Sequence, residues 1–343
     1  MSMGIELAER GLLPDIITRF GIRRLLVQRL TDAKRDPELS NGFARSLDHA
    51  PIAIEQAAAN AQHYEVPAEF YGLVLGPQRK YSSCWYETGN EDLATAESAM
   101  LALSCERAGL VDGQRILEIG CGWGSLTLWM ARHYPNAQIT AVSNSTSQRQ
   151  YIEAQAAAEG LRNVTIHTSD ISVWSPPQTE FDRVVSIECF EHLRNYPELF
   201  RRIASWLKPD GALFVHVFCH RHLVYPFETE GDDNWMGRHF FTGGIMPSED
   251  LFARFDHDLQ VAQRWRVDGR HYAQTSRHWL DNIDAHRAEA EAVLARDLGK
   301  RGARLQAERW RIFFLACEEL FAYQGGQEWF VTHQLLQRTP SRR

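Results

Sequence analysis

Residues 115–125 read RILEIGCGWGS. An apolar run, Ile116-Leu117-Glu118-Ile119, opens into Gly120, Gly122 and Gly124. The run predicts a buried strand. The glycines predict a tight turn, since glycine lets the backbone bend sharply and approach a ligand at the start of the next helix. SLTLWMARHY (125–134) supplies that helix. Downstream, residues 138–145, 164–170, 182–190 and 211–220 read as strands, with helices at 146–160 and 196–207 between them. Strands alternating with helices argue for a parallel sheet with helices on both faces. A helix over 248–255, a strand over 259–267, a helical block from Thr275 to Tyr323 and a last strand over 328–338 follow. Upstream, 92–108 is a helix with Glu91 and Asp92 near its start and Arg107 near its end, as the helix dipole favours.

Residues 1 to about 75 read as helical. Ile16, Ile17, Phe20, Leu25, Leu26, Val27 and Leu30 recur at roughly helical spacing, with Arg19, Arg23, Arg24 and Arg29 among them. That helix either packs with a solvated basic face or serves a dimer or membrane-surface contact. The chain thus divides into an N-terminal helical region (1–75), an α/β core (76–270), a helical cap (271–323) and a closing strand with tail (324–343).

Composition narrows the function. With 343 residues, 44% hydrophobic and 24% charged, the chain is ordinary for a globular protein with a large core. Its net charge of −7 does not suit nucleic-acid binding and gives no help toward an anionic membrane. Six cysteines lie without CxxC pairs, which suits reduced thiols and a cytoplasmic location. The acidic N-terminus is no signal peptide, and no apolar stretch reaches the ~20 residues that span a bilayer. No Asp/Asn cluster has obvious metal-ligand spacing, so no metal is expected.

The glycine turn limits the cofactor. Gly-x-Gly-x-Gly lacks the Gly-x-Gly-x-x-Gly spacing that seats a pyrophosphate on a helix N-terminus. Glu118 just before it would repel a pyrophosphate but suits a cofactor carrying a sulfonium and an amino group. The second strand ends in Ser143-Asn144-Ser145, with Gln148 one turn on. Their polar side chains can hold ribose hydroxyls.

Taken together, LEIGCGWGS and the alternating strands resemble a Rossmann-like, class I S-adenosylmethionine-dependent methyltransferase. That resemblance implies a seven-stranded, mostly parallel sheet with helices on both faces, here with an N-terminal helical extension and a cap insertion. It sharpens over residues 80–336. KYSSCWYETGNEDLATAESAM, AVSNSTSQ, SIECFEHLRNY, FVHVFCHRHLVYPFE, HFFTGGIMPS and GGQEWFVTHQLL resemble the cyclopropane-fatty-acid-synthase superfamily, most closely its coclaurine N-methyltransferase branch. The resemblance implies that Tyr81, Ser82, Gly120, Gly122, Asn144, Gln148, Asp170 and Ile171 hold S-adenosylmethionine. A helix N-cap is the plain alternative for Asp170. It also implies a role for Glu188, Glu191 and His192, with a small, cyclic or aromatic amine as substrate and a homodimer as one possible assembly.

Methyl transfer from a sulfonium is an in-line displacement, for which alignment can supply ~7–11 kcal/mol. The amine must first lose a proton, which a carboxylate–imidazole pair accepts near neutral pH. His192 is therefore assigned as base, Glu188 as amine binder and co-base, and Glu191 as support. Without the resemblance, Glu191 reads as a buried structural carboxylate and His192 as a turn histidine. Lipid-modifying members of the superfamily instead remove a proton with bound bicarbonate, at positions matching Cys84, Glu191, His216 and Tyr272. Those members have glycine where this chain has Glu188. A carboxylate beside an alkene is costly, whereas it suits an amine. Trp235, Phe240, Phe241, Trp265, Tyr272 and Trp329 form an aromatic set that serves either cation–π binding or simply core.

Overall fold

The computed structural model describes residues 3–54, 66–231 and 233–340. Seven strands form the central sheet: β1 (Arg115–Ile119), β2 (Gln138–Ser143), β3 (Val164–Thr168), β4 (Phe181–Ile187), β5 (Leu207–His220), β8 (Leu259–Val267) and β9 (Trp329–Arg338). Their order is β3-β2-β1-β4-β5-β9-β8. Pairing is parallel from β3 to β5, while β9 runs antiparallel to both β5 and β8. This is the Rossmann-like class I arrangement expected above. Two short strands, β6 (Tyr225–Pro226) and β7 (Ile245–Met246), pair separately and were not foreseen.

The core strands read as apolar runs because both sheet faces are covered. Leu117, Ile119, Val184 and Val215 pack with Phe190, Leu199, Phe200 and Ile203 on one side. Ile116, Val185 and Phe214 pack with Leu101, Leu126 and Met130 on the other. The covering helices are α5 (Leu93–Ala108), α6 (Ser125–His133), α7 (Thr146–Ala158) and α8 (Tyr196–Trp206). Asp92 caps α5 by accepting the Thr95 N–H at 2.8 Å, and Gly109 ends it in the left-handed conformation.

At the N-terminus lie α1 (Met3–Glu9), α2 (Asp15–Arg35), α3 (Pro37–Ser46) and α4 (Ala68–Val74). Residues 10–14 and 47–54 are turns and loop, where the sequence read as helical, and residues 1–2 and 55–65 lie outside the described residues. On α2 the packing stripe is Ile22, Leu26 and Leu30. Ile16, Ile17, Phe20, Leu25 and Val27 are exposed. Its basic residues are not all solvated. Arg19 bonds Glu318 and Glu319 at 2.7 Å each, and Arg23 pairs with Glu319. Both acids belong to the long helix α11 (Arg287–Ala322).

After β7 comes a short helical turn, Leu251–Arg254, in place of the helix expected over 248–255. Its bonds run three residues back, from the Leu251, Ala253 and Phe255 N–H groups to the Ser248, Asp250 and Phe252 carbonyls, so it winds tightly and does not continue as an α-helix. The helical block begins earlier than expected, as α10 (Gly269–Ala285), followed by α11 (Arg287–Ala322). Asp268 caps α10 by accepting the Arg270 N–H. A five-residue helix, α9 (Trp235–His239), precedes β7. Trp279 and Trp310, fully buried, join α10 and α11 to Phe70 and Tyr71 of α4. Each such side chain contributes roughly 1.5–3 kcal/mol or more by leaving water.

Candidate active site

Ligands of open α/β sheets bind beyond the carboxyl ends of the parallel strands. There the structure has an open cleft. The turn after β1 forms its floor. Gly120, Gly122 and Gly124 all have positive φ, at 78°, 50° and 79°. A Cβ on Gly120 would meet the Cys189 side chain at 2.6 Å, and one on Gly124 would meet Ile152 at 2.6 Å. One on Gly122 would meet nothing within 4 Å. Gly120 and Gly124 thus permit the packing of the turn, while Gly122 keeps backbone bare toward the cleft.

Tyr81, Ser82, Asn144, Gln148 and Ile171 also line the cleft. Gln148 Oε1 accepts from Ser143 Oγ at 2.7 Å, and its buried Nε2 has no hydrogen-bond partner among the described residues. A buried amide donor facing a cleft is a group awaiting an acceptor. Asp170 is placed differently. Its carboxylate accepts the Ser172 N–H at 2.6 Å, and Ser169 and Ile171 line the cleft on either side of it. Residues 171–173 form a turn and not a helix, so the bond closes an Asx turn and the helix N-cap alternative does not apply.

Glu118 lines the cleft and accepts from Thr127 Oγ1 at 2.5 Å. Burial pushes its carboxyl up to about 7. Ser82 and Ser83 are fixed by Lys80, which is wholly buried. Its Nζ donates to Ser82 Oγ at 2.5 Å and to the Ser83 carbonyl at 2.6 Å. Glu97 in turn accepts the backbone N–H groups of Gln78 and Lys80 and is pushed by burial up to about 7. Neither Lys80 nor Glu97 had a signal in sequence, since each acts only through burial.

Glu188 follows the last residue of β4. Its φ is +44°, a conformation that non-glycine residues rarely adopt. Three donors hold the carboxylate: the Ser83 N–H at 3.1 Å, His216 Nε2 at 3.2 Å and Tyr272 Oη at 2.6 Å. Backbone strain retained under such restraint is characteristic of functional positions. Burial raises the Glu188 acid to about 7, against the lowering pull of Lys80, Tyr272 and Ser83.

His192 also lines the cleft, its ring stacked on Phe241 at 4.9 Å. Glu191 does not line it. That residue is buried, and among the described residues neither of its oxygens has a hydrogen-bond partner. Burial and the neighbouring Glu188 push its acid well up, which favours the neutral form. The expectation that all three face one cleft thus holds for Glu188 and His192 alone.

The four positions matched to a bicarbonate site gather around Glu188. His216 and Tyr272 bond its carboxylate directly. Cys84, whose thiol burial pushes up to about 12, and Glu191 both feel its charge. A second anion there would sit against the Glu188 carboxylate, which like-charge repulsion opposes. The residues do not fit bicarbonate. Of the six aromatics, Trp235, Phe240, Tyr272 and Trp329 are core, and Trp265 lies under Arg107 at 5.3 Å. Among the described residues, none of 271–323 lines the cleft. Thr242 and Gly243 do.

Residues 53–329 match the family described as mycolic acid cyclopropane synthetase. The chain belongs to that family. Among its members, the (S)-coclaurine N-methyltransferase of Thalictrum flavum subsp. glaucum is 36% identical over 340 residues, covering 96% of this chain and 94% of that protein. A crystal structure of coclaurine N-methyltransferase bound to N-methylheliamine and SAH superposes with a TM-score of 0.92 at 35% identity, covering 97% and 98% of the two chains. The cyclopropane-fatty-acyl-phospholipid synthase of Escherichia coli (strain K12) is 30% identical over 272 residues, covering 79% of this chain and 66% of that one. This family member is an S-adenosylmethionine-dependent methyltransferase. Among its described residues, no helix is long and apolar enough to cross a membrane.

The buried acids make the family member's stability pH-dependent. Glu97, Glu118 and Glu188 each have a folded-state value of about 7 against an ordinary 4.5. Between those values the folded chain binds more protons than the unfolded one, so stability is fully present below pH ~4.5 and is lost as pH rises through ~7. The buried and half-buried histidines His216, His220, His239, His271, His278 and His333, all held below their ordinary 6.5, act oppositely and favour folding as pH rises toward 6.5. The acids therefore show as a difference: by scanning calorimetry, the Tm of Glu97→Gln relative to wild type should rise from pH 5 to 7.5. A difference that falls over that window would contradict the Glu97 assignment.

Proposed function

We propose that the chain transfers a methyl group from S-adenosylmethionine to the nitrogen of a small, cyclic or aromatic amine. What carries this is the Glu188 carboxylate, presented to the cleft by three donors where an alkene would need none. The glycine turn, Tyr81, Ser82, Asn144, Gln148 and Ile171 would hold the donor, and the free Gln148 Nε2–H is one fitting contact. Bound there, S-adenosylmethionine supplies an electrophilic methyl carbon. Glu188 draws the ammonium form of the substrate into the cleft by charge. His192, also in the cleft, takes its proton, and the neutral nitrogen lone pair is then free to attack. Glu188 shares this task, its acid lying near neutrality. Glu191 supports the turn beneath them as a neutral acid. In this reading, residues 76–270 and the closing strand hold the donor, and the cap over 271–323 braces Glu188 through Tyr272.

The test is transfer of label from methyl-labelled S-adenosylmethionine. Secondary and primary cyclic or aryl-ethyl amines are offered in parallel with unsaturated phospholipid vesicles, each with and without bicarbonate. Label should move to an amine and be indifferent to bicarbonate. Transfer to acyl chains only when bicarbonate is present would overturn the proposal. On an amine, kcat/KM should rise with pH through about 7, as Glu188 loses its proton. His192→Asn should lower kcat more than it raises KM, because it removes a proton acceptor and no charge on the ammonium.

A further inference from the structure

Behind Glu188 a row of polar groups leads away from the cleft. In the antiparallel ladder His216 of β5 lies directly opposite His333 of β9, and Trp265 of β8 lies opposite His333 on its other side. Residues opposite one another share a sheet face. Accordingly His333 Nε2 is 2.8 Å from His216 Nδ1, and His216 Nε2 is 3.2 Å from Glu188 Oε1. The row ends at Arg107 in the last turn of α5, whose Nη1 is 3.0 Å from His333 Nδ1. Its guanidinium lies over the Trp265 ring at 5.3 Å. Both histidines are wholly buried.

The chemistry of the ends sets the direction of every bond between. Arginine has donors only and does not deprotonate. His333 Nδ1 must therefore accept, which leaves its hydrogen on Nε2. That hydrogen points at His216 Nδ1, which must accept in turn and carry its own hydrogen on Nε2. The last N–H then meets a carboxylate, which accepts. Burial together with Lys80 and Arg107 holds both imidazoles well below their ordinary range, so neither charges. A proton cannot leave through Arg107, so the row is a brace and not an exit.

We propose that Arg107, His333 and His216 form a one-way hydrogen-bond relay of two neutral, Nε2-protonated histidines that keeps an N–H aimed at Glu188 and holds it as the anionic amine binder, a role that rests on N-methyl transfer as proposed above. Arg107 and His333 are positioning residues. Neither lines the cleft. The other groups facing Glu188 are Lys80 and Cys84 from the segment before α5, Glu191 from its own turn, Tyr272 from α10 and Cys317 from α11. Of these Lys80 and Tyr272 favour the carboxylate, as does the Ser83 N–H, and the relay adds a fourth, independently supported group.

Two measurements test it. In the full chain labelled with nitrogen-15 histidine, both His216 and His333 should show the Nε2–H tautomer from pH 6 to 8, assigned by loss of signal in His216→Gln and His333→Gln. An Nδ1–H tautomer, or titration of either ring in that range, would overturn the relay whatever the enzyme methylates. On an amine that is methylated, Arg107→Met should move the acid limb of kcat/KM up by about one pH unit, a rate about tenfold lower at pH 6 and recovered at pH 9. Arg107→Lys, which still donates, should restore the wild-type limb. S-adenosylhomocysteine affinity should be unchanged in both. If Arg107→Met folds and leaves tautomers and limb unmoved, the relay has no positioning role. If it does not fold, His333→Leu and the wild-type tautomers decide. Failure to methylate any amine would defeat the function proposed above and leave the tautomer result standing.

Discussion

Glu188→Gln is expected to lower kcat/KM for methyl transfer to an amine by about 10²–10⁴-fold, with S-adenosylhomocysteine binding retained. Glutamine keeps the shape and still accepts from Tyr272, but it draws no ammonium and takes no proton. Steady-state kinetics and calorimetric titration separate the two effects. Loss of donor binding together with activity would mean that Glu188 shapes the cofactor cleft and does not act on the amine. Glu188→Gly carries a further expectation, because the backbone there sits at φ +44°. A non-glycine residue in that region costs roughly 1–2 kcal/mol, and a buried carboxyl adds its desolvation. The glycine variant should be inactive on amines and yet melt higher than wild type at pH 8. A lower Tm would show that the bonds to Ser83, His216 and Tyr272 outweigh the strain.

The second large effect is expected in the glycine turn. Gly122→Val should weaken S-adenosylhomocysteine binding at least about 100-fold. It places a branched side chain at φ +50° and projects it into open cleft, where a ligand and not the protein would be displaced. Gly124→Val differs in kind. Its Cβ would meet Ile152 at 2.6 Å, so it should act on the fold, lowering Tm and soluble yield. Measuring Tm and affinity on both variants distinguishes them. If Gly122→Val binds as wild type does, the floor of the cleft is not where the donor lies. Equal destabilisation by the two would mean that the whole turn is structural.

Much of the fold was legible beforehand for physical reasons. A parallel sheet covered on both faces needs near-continuous apolar strands, and RILEI, QITAV and ALFVHVF stand out against polar helices. All seven sheet strands were found in this way. The two-residue strands β6 and β7 were not, because two residues carry no periodicity. Over 248–255 a helical composition gave only a tight turn, whose bonds from Leu251, Ala253 and Phe255 run three residues back. The N-terminal helix showed its arginines but not their partners, since Glu318 and Glu319 lie some 300 residues away.

The site divides along the same line. A glycine-rich turn after an apolar strand must bring bare backbone to the sheet's carboxyl edge, so the place of the cofactor cleft follows from local sequence alone. Glu188 and His192, one strand over, lie at that same edge for the same reason. Long-range register decided the rest. Glu191 lies one residue before His192, yet it turns inward and is left neutral. Asp170 bends to its own backbone. Lys80 joins the site through its bonds to Ser82 and Ser83, while His333 and Arg107 reach His216 only because β9 runs antiparallel to β5 and sets His333 opposite His216. No local pattern encodes such a pairing. It depends on which strand ends up beside which, and that is settled by burial of the whole sheet between its helices.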